Sequence, residues 1–345
     1  MVENLAYALK RQGCAVLVVV LQSGETMLTK RMRNDGVDLI ILGKRSGLDL
    51  SVSRRLASIM RDFEPDVVHS HLPILQYVVP AARKAGIRNL VHTIHSMAEK
   101  ETASNLKRAF NRHYYRSGMV LPVALSGATK KSVEDLYGLG ASRVAVVANG
   151  TNLERYEPKR SYSLHAPARI CHVGRFEEAK NHSALVAAAA RLKDDGHNAV
   201  FDLYGVGSLM ESVKGAVAKE GLEDEFVFHG LTDDIPSALG EADLFVFPSL
   251  YEGIPMVLAE AMAAGLPIVA SAVGGIPDML EDGKNALLCG TDAFSVKAAV
   301  ERFLLDEGLR ESLGMAARKR AADFSSDTMA RAYLDVYRRK DARAC

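Results

Sequence analysis

Short apolar runs alternate with stretches of helical period along this chain, and the alternation occurs twice. In the first half the runs are Ala15–Leu21, Val37–Leu42, Asp66–His69, Asn89–His92, Val120–Leu125 and Arg143–Val147. In the second they are Arg169–Val173, Val200–Tyr204, Phe226–His229, Asp243–Pro248, Pro267–Ser271 and Ala286–Cys289. Runs this short, rich in Val, Ile, Leu and Phe, suit strands buried on both faces of a sheet. Helical patterns such as Leu56–Phe63, Thr129–Tyr137, His182–Asp195 and Met256–Ala264 lie between them. Strand–helix alternation implies right-handed βαβ units and parallel sheets. Two passes imply two doubly wound α/β domains, and 345 residues, 48% hydrophobic and 25% charged, are enough for two cores. The join is expected within Asn149–Ala168, which holds Gly150, Pro158 and Pro167 and has neither period.

Several classes are excluded or disfavoured at once. The longest uninterrupted apolar run, Ala15–Leu21, is far too short to span a bilayer. The first residues, Met-Val-Glu-Asn-Leu-Ala, have no basic n-region and do not read as a secretory signal. Cys14, Cys171, Cys289 and Cys345 show no CxxC spacing, so reduced thiols in a cytoplasmic protein are expected, with no disulfide framework or zinc site. The formal net charge of +1 gives no global pull toward nucleic acid. Charge is nevertheless uneven: residues 1–150 carry 21 Lys+Arg against 12 Asp+Glu, and the remainder 22 against 30. A basic first half and an acidic second half suggest units with different partners.

Ligands in open α/β sheets bind beyond the carboxyl ends of the strands. The residues that follow the strands are therefore the candidates. In the first half they include His69, His71, His95 and Ser126; in the second, Gly174-Arg175 with Lys180, Gly205 and Gly207, His229-Gly230, Ser249–Glu252 and Gly274-Gly275. Arg175 offers a planar fork for phosphate oxygens, Lys180 a second cation, and the helix starting near Asn181 its positive end. Two solvated cations on a turn are the competing reading. Glu252 lies in a loop, with Pro255 set for the first turn of the next helix. Glu260 falls on the apolar stripe of Val257, Ala261 and Ala264, so it needs a partner; ribose hydroxyls fit, and so do backbone amides. His95 is placed to carry a proton or to donate to a hydroxyl or phosphate. No Cys or carboxylate completes a metal set with His69 and His71. The segment Asn105–Arg116 reads as a basic helix with interleaved aromatics, suited to an anionic membrane or acceptor, or else to a solvated basic face over an aromatic stripe.

These residues together resemble a known family. Gly174-Arg175-Phe176 with Lys180-Asn181, Glu252-Gly253-Ile254-Pro255 with Glu260 and Gly265-Leu266-Pro267, and Gly274-Gly275-Ile276-Pro277-Asp278 are similar to the motifs of the retaining GT-B glycosyltransferases of family 4, or group 1. Pro65–His71, Thr93–Ser96, Ala124–Ser126 and Asn149-Gly150 agree more loosely, and the resemblance runs from about Met1 to about Arg338. It implies two Rossmann-like domains facing a central cleft: an acceptor-side domain at 1–160, a donor domain at 161–325, and a C-terminal segment 326–345 whose helix, Thr328–Arg339, crosses back to the first domain.

The resemblance also implies roles. Arg175 and Lys180 hold the donor diphosphate, and Glu260 the ribose. Glu252, with the backbone of Gly253, Ile254, Pro255 and Met256, meets the transferred sugar, and His95 approaches its anomeric centre. Gly205, Gly207 and His229–Leu231 border the nucleotide. The implied reaction moves a sugar from a nucleotide-sugar donor to a glycan or lipid-linked acceptor with retention, without metal or other cofactor. The implied setting is surface polysaccharide or lipopolysaccharide synthesis, in the cytoplasm or at the inner face of the cytoplasmic membrane.

One departure stands out: the family opens with a strand and a Gly-rich loop, whereas this chain opens with the helical pattern Val2, Leu5, Ala6, Leu9, and a poorly stable or inactive chain is the expectation. Two rivals remain on the residues alone: a nucleotide-sugar epimerase on the same fold, and a non-enzymatic sugar-binding module.

Overall fold

The structure, a computed structural model, describes residues 1–22, 24–102 and 104–341. They form two units: residues 1–150 with the chain from Ser326 onward, and Thr151–Ser325. The first contains β1 (Leu17–Val20), β2 (Asp38–Ile41), β3 (Val68–His71), β4 (Leu90–Ile94), β5 (Val120–Ala124) and β6 (Ala145–Val146). The second contains β7 (Ala168–Val173), β8 (Ala199–Tyr204), β9 (Phe226–Gly230), β10 (Leu244–Phe247), β11 (Ile268–Ser271) and β12 (Leu287–Cys289). Every strand overlaps an apolar run read from the sequence, and all pairs are parallel.

In the second unit the six strands make one sheet in the order β12-β11-β10-β7-β8-β9. The winding reverses at β7, so a crevice opens at the carboxyl ends of β7 and β10, the usual ligand position in such sheets. Ile170, Phe201, Leu203, Leu244 and Val246 from the strands and Leu185, Val296 and Phe303 from helices fill one core. In the first unit the strands form two sheets, β1-β2 and β3-β4-β5-β6, where the sequence led us to expect one. Among the described residues, one edge of β1 and one edge of β3 carry no strand neighbour.

The helices are set by local chemistry. Ser51–Phe63 buries Val52, Leu56, Ala57 and Met60 at helical spacing. Ser126 caps Gly127–Tyr137 by accepting from the Thr129 N–H, and Asp292 caps Ala293–Leu305 through Ser295. The final helix, Ser326–Asp341, packs with Val2–Arg11 around Leu5, Ala8, Leu9, Met329, Ala330, Tyr333 and Val336, within the first unit.

The second unit starts at Thr151, within the Asn149–Ala168 join read from composition and ten residues before the 161 boundary that the resemblance implies. Side chains explain the shift. The Lys159 N–H donates to the Ala264 carbonyl (2.9 Å) and the Tyr162 hydroxyl to the Gly265 carbonyl (3.0 Å). Buried Asp243 accepts the N–H groups of His165 (3.0 Å) and Arg169 (2.9 Å) and pairs with Lys159 at 3.5 Å. At the other end of the unit, Thr151 bridges Ser325, its N–H donating to the Phe324 carbonyl at 2.9 Å.

The basic segment is a helix, Asn105–Arg116, but its three arginines work locally. Arg108 donates to the Thr102 carbonyl at 2.6 Å, Arg112 to that of Leu136 at 2.8 Å, and Arg116 to that of Tyr137 at 3.0 Å. The last two satisfy carbonyls left open at the end of Gly127–Tyr137. Leu106 and Phe110 of the same helix are exposed. Among the described residues no helix is long and apolar enough to cross a membrane.

Candidate active site

The site in the second unit grows from loops that follow β7, β8, β10 and β11. After β7 the chain turns through Gly174, Arg175 and Phe176; after β8, through Gly205 and Gly207. A Cβ at Gly205 would strike the Gly174 carbonyl, and one at Gly207 the Phe176 backbone. Gly205 also sits at φ 137°, a conformation open mainly to glycine. The two loops therefore interlock by backbone. Gly274 and Gly275 do the same against the carbonyls of Glu252 and Gly253.

Arg175 lies at the surface, its side chain 79% exposed, with a 3.2 Å ion pair to neighbouring Glu177. Lys180 is held inward: its Nζ lies 2.5 Å from Glu252 Oε1 and 4.6 Å from the Phe247 ring centre. Asn181 fixes this arrangement. It takes a left-handed backbone (φ 54°) and donates to the carbonyls of Pro248 (3.0 Å) and Thr291 (2.8 Å), while Leu250 donates to Ala179 at 2.8 Å. The loops carrying Lys180 and Glu252 are thus stitched together although 72 residues separate the pair.

Gly253 is exposed, Ile254 and Met256 are half-buried and Pro255 is buried. Pro255 is the N-cap of Met256–Ala263, with an extended ψ of 119°, so it precedes the first turn where the sequence reading placed it inside. No side chain caps this helix. Its first N–H groups and positive dipole end suit an anion.

Glu260, on that helix, is half-buried and hydrogen-bonds the Tyr156 hydroxyl; burial, then the Glu260 charge, push that phenol's pKa up. Tyr156 was not anticipated, since it lies in a segment with no period to mark it. His229 stacks on Tyr204 with ring centres 4.3 Å apart and meets Asp202 Oδ1 at 2.7 Å, while Leu231 is exposed. Behind the Lys180–Glu252 pair lie His172 and His182, both buried, with ring centres 4.9 Å apart. Burial lowers their pKa values to about 3 and about 4. They too escaped the sequence reading, the only signal being imidazoles within otherwise apolar segments.

His95 belongs to the first unit. It follows β4, its Nε2 lies 3.1 Å from His71 Nδ1, and its N–H donates to the Glu101 carboxylate at 2.5 Å. Ser96 donates to the same carboxylate at 3.1 Å. His69 sits between the Tyr337 hydroxyl and Thr93 Oγ1, each at 2.8 Å, and packs at a tilt against His71 with ring centres 4.2 Å apart. Burial lowers His95 to about 4 and His69 and His92 to about 3, so these rings are neutral at pH 7. Burial also raises the Glu101 carboxyl. The sequence placed His71 on the same sheet edge as His95 but did not pair them. Among the described residues no three His, Cys, Asp or Glu side chains are grouped to hold a metal.

Comparison with known proteins bears on both units. Residues 1–155 match Glycosyltransferase Family 4, and residues 157–320 match Glycosyl transferases group 1. The D-inositol 3-phosphate glycosyltransferase of Salinispora arenicola is 30% identical over 305 residues, covering 79% of this chain and 68% of that protein. The chain belongs to the family 4, group 1 glycosyltransferases. The transferase is also 28% identical over 287 residues to a glycogen synthase of Mycobacterium tuberculosis, covering 80% of this chain and 69% of that one. The crystal structure of Anabaena HepE in complex with UDP superposes with a TM-score of 0.82 at 18% identity, covering 97% of this chain and 94% of that one. The transferase is an enzyme of the GT-B type, with two Rossmann-like α/β units.

Proposed function

We propose that this glycosyltransferase takes a hexose from a nucleoside diphosphate sugar and passes it, with retention, to a hydroxyl of a glycan or lipid-linked acceptor. The observation that carries the reading is the gathering of Arg175, Lys180 and an uncapped helix start on loops after the adjacent strands β7 and β10. These three positive features match a leaving diphosphate, whose charge grows as the glycosidic bond breaks. UDP in the HepE complex is consistent with such a donor. Glu260 receives the ribose by exchanging its bond to Tyr156 for one to a hydroxyl. Glu252 and the backbone of Gly253–Met256 hold the sugar. His95, neutral and held by its N–H to Glu101, donates to a sugar hydroxyl near the anomeric carbon. No metal is required, because Arg175, Lys180 and the helix end supply the positive charge.

The acceptor side is assigned to the first unit on its excess of basic residues. Exposed Leu106 and Phe110 with Lys107 on one helix fit contact with an anionic membrane, and so synthesis of a surface polysaccharide or lipopolysaccharide at the inner face of the cytoplasmic membrane. The test is thermal shift with UDP, GDP and ADP, followed by NMR of the anomeric proton in product made from the responding sugar. A shift by one nucleotide that Lys180→Ala removes, with the donor's anomeric configuration kept, supports the proposal. An inverted product, or shifts unaffected by Lys180→Ala and Arg175→Ala, overturns it. An epimerised nucleotide sugar released without transfer supports the epimerase instead.

A further inference from the structure

His95 follows β4, and the turn it opens is held by a carboxylate further along the chain. The N–H groups of His95 and Ser96 both donate to Glu101 Oε2, at 2.5 and 3.1 Å. These two amides flank the His95 Cα. An oxygen that accepts from both fixes the φ and ψ of His95, and so the direction in which its side chain leaves the backbone.

The carboxylate stands on a fixed base. Glu101 closes the short helix Ala98–Glu101. At the start of that helix the Ala98 N–H donates to Ser132 Oγ of Gly127–Tyr137 at 3.1 Å. At its end Arg108 of Asn105–Arg116 donates to the Thr102 carbonyl at 2.6 Å and to the Glu99 carbonyl at 2.9 Å. Two longer helices therefore hold the short one in place.

The second carboxyl oxygen has a different setting. The Glu101 side chain is 7% exposed, and its Oε1 lies 3.9 Å from His92 Nε2. Ser70 Oγ donates to the Val91 carbonyl at 3.3 Å and lies 2.9 Å from His92 Nδ1. The proton of the neutral imidazole therefore sits on Nδ1, and Nε2 presents a lone pair to Glu101. The Tyr115 ring stacks on that of His92 with centres 6.3 Å apart. Among the described residues neither Glu101 Oε1 nor the Tyr115 hydroxyl has a hydrogen-bond partner, although both atoms are buried. A buried carboxyl left half-satisfied costs stability. Packing alone gives no reason to keep such a group at the base of this turn.

We infer that Glu101 is a positioning residue for sugar transfer, aiming the His95 side chain through the two backbone amides that flank its Cα. The inference rests on the reading of His95 as the group that meets the donor sugar. The ring is held at a second point by His71, whose Nδ1 lies 3.1 Å from His95 Nε2. A side-chain amide suits both settings of the Glu101 carboxyl: its C=O accepts from the two N–H groups, and its NH2 donates toward His92 Nε2. Aspartate keeps the charge but is one methylene short. A role through geometry therefore ranks Gln above Asp at this position, and a role through charge ranks them the other way.

The experiment is a double-mutant cycle in the full chain with Glu101→Ala, His95→Ala and the pair together. The assay is nucleotide release from a panel of UDP-, GDP- and ADP-hexoses. Glu101→Ala is expected to lower kcat by about 10–100-fold, as a misaimed group does, with the donor KM within about threefold of the parent. In the His95→Ala background the same change is expected to cost less than about twofold, since nothing is left to aim, whereas damage to the fold lowers kcat in both backgrounds. Glu101→Gln is expected to stay within about threefold of the parent, and Glu101→Asp to fall with Glu101→Ala. Amide hydrogen exchange needs no donor: His95 and Ser96 are expected to exchange at least about tenfold faster in Glu101→Ala, with the amides of β4 unchanged. If Glu101→Ala does not fold, the order of Gln and Asp decides alone. Four results overturn this inference and leave the reading of His95 standing: activity lost in His95→Ala but kept in Glu101→Ala, losses that multiply in full, Asp outperforming Gln, or unmoved exchange at His95 and Ser96. A parent that releases nucleotide from no member of the panel, or a His95→Ala enzyme as active as the parent, overturns that reading and this inference with it.

Discussion

Lys180→Met tests the centre of the proposed donor site most directly. The substitution keeps the length of the side chain and its packing on Phe247, and removes only the cation. It leaves Glu252, with a side chain 12% exposed, facing no partner cation where a 2.5 Å ion pair had been. Breaking a fully buried pair costs about 3–5 kcal/mol, and an exposed one about 0–1. With the two side chains 20% and 12% exposed, we place the loss at about 2 kcal/mol. For a domain of this size that lowers the melting temperature by about 4–8 °C. The cost belongs to the stranded carboxylate, so Lys180→Met/Glu252→Gln is expected to recover at least about 1 kcal/mol, a coupling typical of contacting residues. The same pair also withholds Lys180 from phosphate. Glu252→Gln, which frees the amine and removes an anion beside the site, is therefore expected to tighten UDP binding several-fold. Urea unfolding of the four variants and calorimetric titration of UDP read both effects. A Lys180→Met protein as stable as the parent, or a double variant whose losses simply add, refutes the pairing. Weaker UDP binding in Glu252→Gln refutes the competition.

Gly207→Ala is expected to lower stability by about 2 kcal/mol and to weaken UDP binding, because the added methyl meets the Phe176 backbone rather than a movable side chain; denaturant melts check this. Tyr156→Phe is expected to leave UDP affinity within about threefold while Glu260→Ala lowers it more than tenfold, each read by calorimetry, if the carboxylate and not the phenol meets the ribose as proposed. The buried histidines set a pH response. Their folded pKa values of about 3 to 4 lie below the unfolded value of 6.5, so the unfolded chain binds more protons between these limits. Stability is then full above pH 6.5 and falls as pH drops toward 4, by up to about 1.4 kcal/mol per pH unit for each such ring. Urea midpoints at pH 7 and pH 5 measure it, and equal midpoints contradict it.

The strands were legible because a strand buried on both faces must be apolar along its whole length, as in Leu244-Phe-Val-Phe247. The residues after the strands were legible as candidates for the same reason, since parallel topology fixes which end of a sheet faces a ligand. Sequence reading fell short where the deciding contact is long-range or between polar groups. Nothing local to Lys180 announces Glu252, nor does anything near Glu260 announce Tyr156. The boundary lies before residue 161 because the Lys159 N–H donates to the Ala264 carbonyl and the Thr151 N–H to that of Phe324, bonds with no signature in composition. The arginines of Asn105–Arg116 looked like a charged face and proved to be capping groups, since charge alone does not distinguish a solvated guanidinium from one spent on carbonyls.

The bridge between Thr151 and Ser325 has a practical consequence. It brings the entry and exit of residues 151–325 side by side, so that stretch is an insert whose two ends meet. Such a cassette can be excised with two cuts a few residues from the bridge, or closed into a ring by a short linker, without breaking any strand of its sheet. The donor binding proposed for it could then be studied, or the stretch exchanged for that of a relative, as one continuous piece of chain.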